Sequence, residues 1–339
     1  MAKLPLPLPA ILCLAALLST ATASTAQEVA EQPEVETIAE NLARPCDLAL
    51  RLGGSRSGPN LMVAEGDTGR VLGLSTEYLG GGLVEIIEPA ADHEQWGDAR
   101  ILFRSRNRML IGQAAADGST LRVVEFDIDD DALPMSRDQQ KLRYDYEPSD
   151  GSVQLTGMTR DASVLVLSTG SHQWLLKAKL RSGPPAKLET FVRTQDVTEL
   201  GTPRIVKFSH KGYLVVVESG SDESATESLL VFYHPVNMAA EPLMKMPIQL
   251  TGVVSIAYST ATGNLYVANQ SSDAAQAGIY RLDAQLDKAT GQQSCEVVRV
   301  LALDDPTAIV FDDSGAMFIT TAGDEDKSNG KLLRIASGM

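Results

Sequence analysis

One short apolar run recurs six times along this chain, and that repeat constrains the fold more than any other feature. The runs are Leu61–Gly66, Met109–Gln113, Val164–Gly170, Tyr213–Gly220, Asn264–Asn269 and Ala316–Gly323. Each is rich in β-branched or aromatic residues and ends in a small or polar residue, the pattern of a buried strand. Aligned at Glu65, Gln113, Thr169, Glu218, Asn269 and Thr321, they are spaced by 48, 56, 49, 51 and 52 residues. A near-constant period of about 50 is that of propeller blades.

The flanks repeat as well. A strand and a tight turn ending in Gly precede several of the runs, as in Ile205–Gly212, Ser255–Gly263 and Ala308–Gly315. Gly there supplies the positive φ that lets the chain reverse. A third strand follows each run, such as Gln173–Lys177 or Lys331–Ile335. A fourth alternates along its length, as Glu296–Leu303 and Lys187–Val192 do, which suits a half-exposed outer edge. The expected fold is therefore all-β: a six-bladed β-propeller with four-stranded antiparallel blades. A β-sandwich would not give this period, and the widest gap, from Gln113 to Thr169, is too small to hide a seventh blade. Glu34–Ala39 reads as the outer strand of the blade whose other strands come last, so the N-terminal strand closes the ring.

Residues 1–26 are read as a signal peptide, and residues 27–339 as one propeller domain. Lys3 is the only charge in that first segment; Ala10–Leu18 is apolar, and Ala21-Thr-Ala23 ends it. The apolar run is shorter than the ~20 residues a membrane span needs. The chain is expected to be exported, either periplasmic or secreted, with no membrane insertion. Cleavage leaves 28 basic and 44 acidic residues, a net charge of −16. Such a balance argues against nucleic acid as a partner. A monomer is expected.

Gly252–Asn269, Asp305–Thr320 and Asn41–Leu50 carry a family resemblance; the segments 84–128 and 139–181 carry it less well. These units resemble the NHL-type and gluconolactonase-like six-bladed propellers. The resemblance implies a ligand site at the mouth of the central channel, formed by the outer-to-inner loops and the ends of the second strands. Those ends are the six aligned residues, and the starts of the inner strands add Asp47, Asp98, Arg204 and Thr307. The candidate ligand-binding set is Asp47, Glu65, Arg204, Glu218 and Asn269. Gluconolactonase-like enzymes hold a divalent metal at this mouth. Glu65, Glu218, Asn269 and Asp47 offer the oxygen ligands that a hard cation such as calcium takes. Gln113 and Thr169 depart from that donor set. The other reading is that these ends are hydrated and hydrogen-bonded around a water-filled channel.

Other motifs carry less. Asp324, Asp326 and Ser328 alternate like calcium ligands, but the glycine is displaced to 330 and the closing acid is replaced by Ile335. This reads as a solvated acidic loop. None of His93, His172, His210 and His234 has a partner at metal-ligand spacing. Only His172 is placed to reach the mouth as a base. Arg100, Arg104, Arg106 and Arg108 read as covering a hairpin and pairing locally. Cys46 starts an inner strand and Cys295 precedes an outer one, which argues against a disulfide between them. No motif specific to one reaction is present. The reading is a binding or scaffolding module for an unidentified protein or small molecule. The alternative is a metal-dependent hydrolase or lactonase working at the channel mouth.

Overall fold

The computed structural model describes residues 33–338 apart from 52–57, 150, 171–172, 182, 184, 199, 220–226, 235–240, 287–292 and 324–328. The expected leader (1–26), His172 and the loop around Asp324 and Asp326 lie outside the described residues.

The repeated runs become the second strands of six sheets. The chain starts with β1 (Val35–Leu42). Blade one is β2 (Pro45–Leu50), β3 (Leu61–Glu65), β4 (Val71–Leu74) and β5 (Val84–Ile87). Blade two is β6 (Arg100–Ser105), β7 (Arg108–Ala114), β8 (Leu121–Asp127) and β9 (Lys141–Tyr146). Blade three is β10 (Leu155–Arg160), β11 (Val164–Thr169), β12 (Trp174–Lys179) and, after a two-residue strand β13 (Ala186–Lys187), β14 (Glu189–Arg193). Blade four is β15 (Thr202–Phe208), β16 (Leu214–Ser219), β17 (Ser228–Tyr233) and β18 (Met244–Ile248). Blade five is β19 (Val253–Tyr258), β20 (Leu265–Asn269), β21 (Gly278–Leu286) and β22 (Gln293–Ala302). Blade six joins β23 (Pro306–Phe311), β24 (Met317–Thr321) and β25 (Gly330–Ile335) to β1.

The fold is thus a six-bladed β-propeller with four-stranded antiparallel blades. Its first strands, β2, β6, β10, β15, β19 and β23, follow one another around the centre, and β23 returns to β2. β1 is the outermost strand of blade six, with Val35 opposite Ile335 and Leu42 opposite Gly330. Gly212, Gly263 and Gly315 hold φ of +81°, +75° and +82° in the expected first hairpins. One expected strand is two. Lys187–Val192 breaks at Leu188, which is buried between blades two and three and donates its N–H to Asp145 O at 3.0 Å. β13 before the break pairs in parallel with β9 of blade two, and β14 after it pairs with β12.

Each sheet stands on edge around the axis, so both of its faces meet neighbouring blades. Six apolar cores result, one per junction. Met62 and Phe126 meet between blades one and two, Val166 and Val216 between three and four, and Phe318 and Leu61 between six and one. Full burial of one such side chain stabilises by about 1.5–3 kcal/mol. Cys46 and Cys295 are free thiols. Cys46 lies in the core between blades one and two, and Cys295 lies on the outermost strand of blade five. No helix among the described residues is long and apolar enough to cross a membrane.

Candidate functional site: the central channel

Inner strands of adjacent blades share no backbone ladder, and side chains bridge them instead. Asp47 Oδ2 accepts the Ile101 N–H at 2.7 Å, joining blade one to blade two. Arg100 Nε donates to Thr156 O at 3.0 Å, and its Nη1 donates to Cys46 O at 2.7 Å, so it spans three blades. Thr156 Oγ1 donates to Pro203 O at 2.9 Å, and Ser255 Oγ accepts the Ile309 N–H at 3.1 Å.

The space between these strands runs from one mouth to the other. The first mouth is a cavity of about 450 Å³, lined by Asp98, Arg100, Asp117, Gln154, Thr156 and Arg204 among others. Arg100 and Thr156 also line a waist of about 50 Å³, together with Asp47, Lys207, Ser255 and Thr307. Asp47 and Lys207 continue into the second mouth, a cavity of about 400 Å³ walled by Phe103, Phe208, Tyr258 and Phe311. His210 lines this second mouth, edge-on to Tyr258 with ring centres 5.4 Å apart.

Arg100, Arg204 and Lys207 form no ion pair among the described residues. Arg204 Nε donates to Ser219 Oγ at 2.9 Å. Asp47 is the carboxylate of the waist, and backbone N–H groups occupy it: Leu48 at Oδ1 (2.9 Å) and Ile101 at Oδ2. Burial pushes its carboxyl up, against the pull of Arg100 and these N–H groups. Burial likewise pushes the Lys207 ammonium down, with Asp47 opposing. At the first mouth, Asp98 is held by Arg44 at 2.6 Å, and Asp117 Oδ1 accepts the Ser119 N–H at 2.9 Å.

The structure separates the five residues expected to converge at one mouth. Arg204 lines the first mouth and Asp47 the waist. Glu65, Glu218 and Asn269 line none of these cavities and are wholly buried inside three different blades. Glu65 accepts the Ala43 N–H (2.9 Å), the Thr68 hydroxyl (2.9 Å) and Arg70 Nε (2.8 Å). Asn269 accepts the Gly252 N–H at 3.0 Å and donates to Gln276 O at 2.8 Å. A Cβ on Gly252 would lie 1.6 Å from Gln270 O, so only glycine lets the loop pass here. Glu218 accepts the Thr198 hydroxyl at Oε2, while Oε1 has no hydrogen-bond partner among the described residues. Burial pushes its carboxyl up to about 7.

The polar ends of these second strands thus tie down the loop entering their own blade. The physical reason lies in the upright sheets. A second-strand side chain points at the neighbouring blade, and its backbone lies about 4.8 Å behind the strand that faces the channel. Among the described residues, no three His, Cys, Asp or Glu side chains come together as a metal site would require.

Sequence reasoning did not single out Lys207. Its signal was a lone cation in the otherwise apolar inner strand Ile205-Val-Lys-Phe208. Of the arginine cluster, Arg104 does pair locally, with Glu125 at 2.9 Å, whereas Arg100 belongs to the channel.

No known protein-family model matches the chain, and no curated protein sequence does. Solved structures do. A Thermus thermophilus protein assigned as an oxidoreductase (glucose dehydrogenase) superposes with a TM-score of 0.62 at 17% identity, over 89% of this chain and 99% of that one. The PQQ-bound aldose sugar dehydrogenase of Streptomyces coelicolor gives 0.57 at 16% identity, over 90% and 99%. A Bacteroides uniformis protein assigned as a 6-phosphogluconolactonase gives 0.50 at 13% identity, over 88% and 87%. What they share with this chain is the fold. The resemblance to six-bladed enzyme propellers read from the repeat holds at that level.

Proposed function

We propose that this propeller is a binding module, exported from the cytoplasm, that holds a small anionic molecule in its central channel. The observation carrying this reading is that Arg100, Arg204 and Lys207, all lining the channel, form no ion pair among the described residues of a chain of net charge −15. An acidic protein has carboxylates to spare. Cations left open in a narrow, low-dielectric lumen suit an anion from outside. Bound next to Lys207, that anion would restore the ammonium that burial disfavours.

PQQ, which one structural neighbour binds, is an anionic quinone, and these cations suit its carboxylates. Oxidation of a sugar beside it would also need a free base. Asp98 is paired with Arg44 and Asp117 Oδ1 accepts the Ser119 N–H, and the reading is kept to binding. The hydrolase reading rests on Glu65, Glu218 and Asn269, and their burial away from the channel cavities gives it less support.

Calorimetric titration of the purified protein with citrate, gluconate and PQQ tests the proposal. Saturable binding of at least one is expected, weakened about tenfold or more in Lys207→Met, since charge-assisted contacts are the strong ones. The Lys207 side chain makes no hydrogen bond among the described residues, so Met should preserve the fold. No binding, or binding indifferent to Lys207→Met and Arg204→Gln, would overturn it. Lactone hydrolysis abolished by a chelator would replace it with the hydrolase reading.

A further inference from the structure

A second group of cations lies outside the channel, at the junction of blades one and two. Arg122, in β8, places its guanidinium carbon 3.4 Å from the centre of the Trp96 ring. Trp96 is itself fixed. It bridges to Ala115, and its Nε1 donates to Asp92 Oδ2 at 3.1 Å. Arg137 stands nearby, with its guanidinium carbon 5.9 Å from the Phe126 ring. Its Nε donates to Glu88 O at 3.1 Å and its Nη2 to Gly69 O.

Neither arginine forms an ion pair among the described residues. Arg122 Nε is buried with no acceptor among the described residues. Leaving such a group unmatched is unfavourable, and more so when it is charged. The two cations also oppose each other: burial first, and then Arg122, pushes the Arg137 guanidinium down to about 10. Asp92 acts on both only through its field, and one of its oxygens serves Trp96. Two like charges are therefore held together, half-buried, on aromatic faces in an acidic protein. Stacking fixes the Arg122 plane and leaves its N–H groups to meet an acceptor at the edge. A tetrahedral oxyanion would supply both the negative charge and several acceptor oxygens.

We propose that Arg122 and Arg137, held on Trp96 and Phe126, form a binding site for a phosphate or sulfate group, separate from the channel.

Trp96 is one of two tryptophans in the chain, so Trp174→Phe leaves it as the sole indole reporter. Emission of this variant is followed during titration with inorganic phosphate, sulfate, glycerol phosphate and chloride at constant ionic strength. A saturable change with phosphate or sulfate, absent with chloride, is expected. A tighter response to glycerol phosphate would mark an esterified phosphate as the ligand, and a weaker one the free anion. Arg122→Gln should weaken the response about tenfold or more, as loss of a charge-assisted contact does. Arg122→Lys, which keeps the charge but not the fork, should weaken it too, and it covers the case in which Arg122→Gln fails to fold. Lys207→Met should leave the response unchanged, which separates this site from the channel. No saturable change beyond that of chloride, or a response unaltered in both Arg122 variants, would overturn the proposal.

Discussion

The Asp47 carboxylate accepts the backbone N–H of Ile101 at 2.7 Å, so a side chain from the inner strand of one blade satisfies the inner strand of the next. Its other oxygen accepts the Leu48 N–H. Asp47→Ala strands both donors at the channel waist. A loss of about 2–3 kcal/mol is expected. That corresponds to a melting temperature lower by roughly 3–5 °C in a domain of this size. Asp47→Asn keeps one acceptor oxygen and should lose less. Scanning calorimetry checks this, and equal melting of Asp47→Ala and the parent would show that the bridge contributes nothing.

Glu218 makes stability depend on pH. Its carboxyl is raised from an ordinary 4.5 to about 7, mainly by burial. The folded state therefore binds this proton more tightly than the unfolded state. Its favourable contribution is complete below pH 4.5 and is lost as pH rises through 7. The loss is on the order of 3 kcal/mol. Glu218→Gln should flatten the decline between those limits and be the more stable protein at pH 8. An amide suits the site, because Gln113 holds the corresponding place in blade two and reaches Gly97 O. Urea melts of both proteins across that range provide the measurement; parallel pH profiles would refute the assignment.

Glu65 and Arg70 form the buried-acid version of the same tie. Arg70 approaches Glu65 at 2.8 Å but is 30% exposed, whereas Glu65 is fully enclosed. Arg70→Ala leaves that carboxylate buried without its cation. A loss of ~2–4 kcal/mol is expected, below the value for a fully enclosed pair because Arg70 reaches solvent. The double variant Glu65→Gln/Arg70→Gln should recover part of it. Ligand affinity in the channel should be unchanged in each variant that folds. A selective loss of affinity without a loss of stability would return Glu65 to the site.

The six blades were legible because their signals are local. Runs of β-branched residues make the second strands, and Gly212, Gly263 and Gly315 mark turns that other residues enter at a cost. The polar ends at Glu65, Glu218 and Asn269 were legible as a repeat, but their direction was not. Strand periodicity says that a side chain leaves one face of a sheet. It does not say whether that face looks at the axis or at the next blade. Asp47 and Arg204 lie on the inner strands themselves, so the same reasoning placed them on the channel. Arg100 was grouped with its hairpin neighbours because its acceptors, Cys46 O and Thr156 O, come from the blades on either side and leave no trace near residue 100. The Arg122–Trp96 stack joins residues from two segments in the same way.

The seam of the ring joins the first strand of the propeller, β1, to its last, β25. Glu36 and Arg334, paired at 3.1 Å, stand 298 positions apart. During synthesis β1 has no partner until β25 exists, and blades one to five must assemble with a bare face at each end. Ring closure is thus a late, long-range event of the kind that slows folding. The first and last strands of the propeller serve as one clasp, and loosening either of them opens the same gap.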